Sequence, residues 1–206
     1  MLKKFWVVLF VLTLGGCRIV SQKELADLKS PPNPHMSSVD KLWQDKIVPQ
    51  VVSDARSASD LLTAFKAAKD IDNACKSFGY RSQDENPCIF YVKTEGKITK
   101  IDTASRSGKM TVQDASGFNT VVQIGPTIRG TQLRDAYKGA SYGDFNDQVL
   151  FGDYGRAIND QAVKMIQSSQ LKVGNAVQVY AVFSTWEVPE TIPDITPAKI
   201  VSAGGQ

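Results

Sequence analysis

The stretch Lys172-Val173-Gly174-Asn175-Ala176-Val177-Gln178-Val179-Tyr180-Ala181-Val182-Phe183-Ser184 decides the fold class. Gly174-Asn175 is a turn signal. Behind it Val177, Val179, Ala181 and Phe183 alternate with Gln178, Tyr180, Val182 and Ser184, the period of two that sends one set of side chains to one face of a strand. Upstream, Tyr154, Ile158, Ala162 and Met165 recur at helical spacing and predict an amphipathic helix. Further upstream lie short β-rich stretches at residues 89–92 and 97–102, joined through Gly96, and at 109–113 and 118–124. Ser107-Gly108 and Ser116-Gly117 punctuate them. Downstream, a proline-rich loop over residues 189–197 leads to a last strand at 198–202. Three strands, a helix and two more strands predict an α+β chain: an amino-terminal helical segment, then a five-stranded OB-like Greek-key β-barrel over residues 88–203. The helix between strands three and four is expected to close one end of that barrel.

The segment ahead of the barrel reads as helical over residues 39–80. Leu42, Ile47, Val48, Val51, Val52 and Ala55 follow helical intervals behind a cap at Ser37 or Ser38, and Pro49 is expected to kink or break that helix. Ser57 and Asp60 have capping-box spacing, and Leu61, Phe65, Ala68 and Cys75 mark one face of a second helix. Trp43 and Phe78 read as packing anchors. Residues 17–38 are polar, with Pro31-Pro32-Asn33-Pro34 favouring extended chain, and read as a flexible tether that contains His35. Residues 1–16 read as a signal peptide: Lys3 and Lys4 precede an apolar run too short to span a bilayer, which needs about twenty apolar residues. Leu14-Gly15-Gly16-Cys17 resembles the lipobox of bacterial lipoproteins. It implies acylation of Cys17 and anchoring to the lipid bilayer on the periplasmic side of a bacterial envelope.

Cleavage before Cys17 removes Lys3 and Lys4, and the formal charge falls from +3 to +1. A chain this close to neutral is not built for electrostatic capture of nucleic acid. Cys75 and Cys88 remain, an even pair in a compartment that permits disulfides; a bridge between them is expected, against the alternative of two unpaired buried thiols. The only histidine is His35 and no cysteine pair has zinc spacing, so no metal and no cofactor are expected.

The run Ile124-Gly125-Pro126-Thr127-Ile128-Arg129-Gly130-Thr131-Gln132-Leu133-Arg134-Asp135-Ala136 resembles an uncharacterised bacterial family of predicted periplasmic lipoproteins. Phe145-Asn146-Asp147-Gln148, Ala157-Ile158-Asn159, Thr196-Pro197-Ala198-Lys199 and Trp43 with Val48-Pro49 extend the match. The genes of that family lie beside sugar ABC transporter genes, so the resemblance implies an association with carbohydrate uptake. It implies no activity, and the Cys75/Cys88 pair is not a general feature of the family.

Candidate chemistry concentrates in the irregular region between the third strand and the helix. Arg129 and Arg134 offer planar donor forks, Asp135 and Asp147 offer acceptors, and Asn146 and Gln148 offer both. Such a set suits sugar hydroxyls, carboxylates or a protein partner; the same Arg-Asp pairing also serves internal structure. The leading expectation is a non-enzymatic accessory of a carbohydrate ABC transporter that contacts its sugar-binding protein or permease through residues 129–148. The alternative is a barrel that binds an oligosaccharide or envelope polymer directly, with Tyr180 and Trp186 as stacking residues. Last comes a serine hydrolase: Gly139-Ala140-Ser141-Tyr142-Gly143 matches a nucleophile elbow, but the elbow needs a later histidine as base. Ser38-Val39-Asp40-Lys41 has serine-lysine dyad spacing that helix capping explains more simply.

Overall fold

The computed structural model describes Ser21 and residues 38–202. The signal peptide, Cys17, His35 and nearly all of the tether lie outside the described residues. The chain enters through α1 (Val39–Leu42), widens into a π-helical turn (Trp43–Ile47) and returns to α2 (Val48–Asp54). Val39, Trp43, Ile47 and Val51 are the buried residues, four apart. At 3.6 residues per turn that spacing would drift around the helix, and the wider π turn helps keep it on one face. Pro49 is the second residue of α2 and follows directly on the π turn; the helix runs on through it, with the irregularity in the turn before it rather than a break.

The expected second helix is two helices. α3 (Ala58–Ala67) is capped by Ser57, whose Oγ accepts from the Asp60 amide at 3.1 Å. α4 (Ile71–Phe78) is capped by Asp70, whose carboxylate accepts from the Asn73 amide at 2.8 Å. Extended backbone at Ala68 separates them, and Asp70 restarts the helix because a carboxylate satisfies its first orphan amides. Just before α3, Arg56–Ser57 forms a two-residue strand, β1, that pairs in parallel with Val92 and Lys93.

β2 (Cys88–Asp102) is continuous and changes partner midway. Residues 88–97 pair antiparallel with β5 (Ala176–Thr185), and residues 97–102 pair antiparallel with β3 (Ser107–Gln113). The exchange occurs at Lys97, next to Gly96, where any Cβ would overlap the Gln113 carbonyl. β3 pairs with β4 (Asn119–Pro126) and β5 with β6 (Thr196–Ser202), giving the order β4-β3-β2-β5-β6. The sheet curls until β4 meets the approach to β6: the Gln123 amide donates to the Ile195 carbonyl and the Ile195 amide to the Val121 carbonyl, both at 2.9 Å.

Two cores result, one on each face of this sheet. Phe90, Val92, Ile98, Val112, Val179 and Phe183 point inward, where Leu61 and Phe65 of α3 join them. The Phe65 ring lies 4.8 Å from Phe90 and 5.3 Å from Phe78. A disulfide between Cys75 and Cys88 ties α4 to the start of β2, with Cα atoms 5.8 Å apart. On the outer face Ile89, Tyr91, Val182 and Ala198 are covered by Trp43, Ile47 and Val51, by Leu133 and Ala136 of α5 (Gln132–Ala136), and by Tyr154, Ile158 and Ala162 of α6 (Gln148–Ser168). α6 follows β4 and precedes β5 in the chain, but these residues pack on the outside of the sheet, while α3 supplies the helical side chains of the inner core. The reason lies in β2: a strand apolar at four successive positions, 89–92, must be covered on both faces.

Candidate functional site

The six residues expected to form one site divide into three groups. Arg129 is exposed beside β3: its Nε donates to Ser107 Oγ at 2.6 Å, and its amide donates to Gln123 Oε1 at 3.1 Å. The loop carrying it is held to α6 by Asn159, whose Nδ2 donates to the Gly130 carbonyl at 2.9 Å. Asn146 and Asp147 serve the backbone. Asn146 takes a positive φ of 48° and donates from Nδ2 to the Gly143 carbonyl. Asp147 caps α6, accepting from the amides of Val149 and Leu150 at 2.8 and 2.9 Å.

Arg134, Asp135 and Gln148 form the third group and line one cleft. Arg134 stands on α5 with only 14% of its side chain exposed. Its Nε and Nη2 donate to Asp135 Oδ1 at 2.8 and 2.7 Å, and its guanidinium carbon lies 3.8 Å from the centre of the Phe151 ring. Asp135 Oδ2 accepts from Thr131 Oγ1 at 2.6 Å. Gly155 of α6 makes the approach possible, since a Cβ there would come 3.3 Å from Arg134 Cδ. The guanidinium is thereby pinned between a carboxylate and an aromatic face, a rigid fork with one side toward the cleft.

The cleft holds about 680 Å³. Ser82, Gln83 and Asn86, from the loop between α4 and β2, face Gln148, Phe151 and Tyr142 across it. That loop lies inside the ring closed by the disulfide, so its polar groups are presented from a constrained backbone. Its polar composition was the available signal, but only the tertiary fold places it opposite α6. Ser141 also lines the cleft: its amide and hydroxyl both donate to Asp144 Oδ2, at 2.7 and 3.0 Å, capping a 3-10 turn (Tyr142–Asp144). The nucleophile-elbow match therefore lacks its strand-turn-helix setting. Ser38 precedes α1 as its cap residue, with no side-chain capping bond.

The base of α5 is fixed by a buried relay. Tyr91 donates to the Ala136 carbonyl at 2.5 Å, and Gln50 Nε2 donates to the same carbonyl at 2.7 Å and to Tyr91 Oη at 3.1 Å. Burial, then the neighbouring Asp54, pushes the Tyr91 phenol well above the usual tyrosine range. On α6 burial pushes Tyr154 up to about 12, with Tyr137 and Asp144 adding to the effect. Among the described residues, no group of three or more His, Cys, Asp or Glu side chains is placed to hold a metal ion, and no helix is long and apolar enough to cross a membrane.

Comparison with known proteins agrees with this architecture. An OB-fold protein from Thermotoga maritima MSB8 is 16% identical, superposes with a TM-score of 0.60, and covers 82% of this chain and 97% of its own. Two OBodies bound to hen egg-white lysozyme also match, each 14% identical. The first has a TM-score of 0.28 and covers 55% of this chain and 81% of its own; the second has 0.29, with 56% and 96%. No curated protein matches. The family described as predicted periplasmic lipoprotein (DUF2291) matches residues 7–201, nearly the whole length. The chain therefore has an OB-type fold and belongs to the predicted periplasmic lipoprotein family.

Proposed function

We propose that the protein is a non-enzymatic docking component of the bacterial periplasm, acylated at Cys17 and engaging a protein of a carbohydrate ABC uptake system through the cleft at Arg134. One observation carries the reading: the cleft pairs a pinned guanidinium with an aromatic side chain left in water. Tyr142, which lines the cleft from the 3-10 turn, is 45% exposed. An arginine and a tyrosine around a concave centre are the residue types enriched where proteins bind proteins. Gln148 and the loop residues Ser82, Gln83 and Asn86 supply donors and acceptors beside them. The carbohydrate transporter as partner comes from the family resemblance, and the lipobox supports the anchor.

The test is photocrosslinking in intact cells from an unnatural side chain at Gln148, with the same probe at Lys109, exposed on β3 and outside the cleft lining, as control. A defined adduct to a transporter component from Gln148 but not from Lys109 supports the proposal. A Gln148 probe that captures no protein beyond the control sinks it. Cys17→Ser should release the protein from the membrane fraction, and a variant that stays bound refutes the anchor.

A further inference from the structure

Other residues of the loop between α4 and β2 line a second cavity. Tyr80, Arg81 and Asp84 of the loop, Asp72 and Lys76 of α4, and Trp186 beyond the end of β5 enclose about 710 Å³, within the range of roughly 300–1,000 Å³ typical of small-molecule sites. Trp186 is 63% exposed, the most exposed large aromatic among the described residues. Tyr180, the other stacking candidate, is half-buried, donates to Gln178 Oε1 at 2.8 Å and packs with the outer core.

We infer that the cavity beside Trp186 binds a neutral polyhydroxylated ring, a saccharide. The indole offers a flat apolar face at the edge of a polar recess, the geometry that covers the C–H face of a sugar while its hydroxyls reach sideways. The recess is charge-balanced, with Lys76 and Arg81 set against Asp72 and Asp84, so it gains nothing from a formal charge on the ligand. Arg81 is pre-positioned: its side chain is 15% exposed and its Nη1 is held by Asp72 at 2.9 Å. Its Nε is buried without a protein acceptor, a donor left for a group other than the protein's own. A planar guanidinium beside carboxylates supplies donors and acceptors at the spacing of vicinal hydroxyls. A nucleotide would also stack on the indole, but a recess whose charges cancel offers its phosphates no net attraction. The site does not depend on the docking cleft, since the two cavities share the loop but no lining residue.

Tryptophan fluorescence reads this directly. Trp6 lies in the segment expected to be cleaved, and Trp43 is only 6% exposed, so acrylamide quenching of the mature lipoprotein in zwitterionic micelles reports on Trp186. The probes are maltotriose, cellotriose and xylotriose, with trigalacturonic acid as the charged counterpart. At least one neutral trisaccharide should blue-shift the emission and lower the quenching constant at least twofold, while the uronic acid binds at least tenfold more weakly. Trp186→Ala, at an exposed position, should weaken calorimetric binding at least tenfold with no change in melting temperature, and Arg81→Lys should weaken it while the fold is kept. The inference is overturned if no neutral saccharide protects Trp186, if Trp186→Ala binds as tightly as wild type, or if only a protein shields the indole. The Gln148 crosslink is unaffected by any of these outcomes, so failure here and failure of the docking reading are distinguishable.

Discussion

Replacing Arg134 with alanine separates a structural arginine from an exposed one five residues away. The substitution removes two charge-assisted hydrogen bonds to Asp135 and the contact with Phe151. Such bonds contribute about 1.5–3 kcal/mol and a partly desolvated cation–π contact about 1 kcal/mol. Deleting one partner of a fully buried pair costs about 3–5 kcal/mol. Asp135, however, is 32% exposed and keeps its bond from Thr131, so water and that hydroxyl recover part of the loss. The expected destabilisation is about 2–3 kcal/mol, which in a domain of this size lowers the melting temperature by about 5–10 °C. Arg129 is exposed, and Arg129→Ala should stay within about 0.5 kcal/mol of wild type. Arg134→Lys keeps the charge but not the fork and should fall between. Circular dichroism melts of the three variants under one buffer decide the matter. An Arg134→Ala protein that melts within about 2 °C of wild type refutes the pinned-guanidinium reasoning, and so does an equally large loss in Arg129→Ala.

Gly96→Ala should destabilise by more than about 3 kcal/mol, because backbone must shift to clear the Gln113 carbonyl; a denaturant midpoint close to wild type would refute the crossover geometry. Converting Cys75 and Cys88 together to serine should cost about 3 kcal/mol, the loop-closure value for a ring of this length, and reductant should have no further effect on the double variant's urea midpoint. Tyr154 titrates near 12 in the folded protein against about 10 when unfolded, and Tyr91 shifts in the same direction. Their stabilising contribution is therefore complete below pH 10 and is lost as the pH rises toward 12. Absorbance at 295 nm should show two of the six phenols lagging in native protein, and a single six-phenol step near pH 10 would contradict their burial.

The strands were legible wherever one face dominates the pattern, as in β5 behind its Gly174-Asn175 turn. They became ambiguous where both faces are apolar: residues 89–92 show a run without a period, so the second core beneath α6 was invisible until the chain was folded. β1 carries no signal at all, since two residues cannot display a period. Asp70 and Asp147 both cap helices, but the apolar face running through Ala68 to Cys75 hid the restart at Asp70, and Asp147 read as a ligand-binding acceptor because capping and recognition use the same carboxylate. Arg129 and Arg134 are neighbours in sequence, but the chain turns into α5 between them and gives them different partners. The residues facing Arg134 across its cleft come from before β2, a distance in sequence that no local pattern spans.

The loop from Tyr80 to Asn86 is a partition wall. One side of it, at Tyr80, Arg81 and Asp84, belongs to the Trp186 cavity; the other, at Ser82, Gln83 and Asn86, belongs to the Arg134 cleft. Its ends are clamped by the disulfide and by the paired bonds between Tyr80 and Ile89. A wall this short and this firmly clamped has few ways to move, so each cavity keeps its shape whatever the other holds.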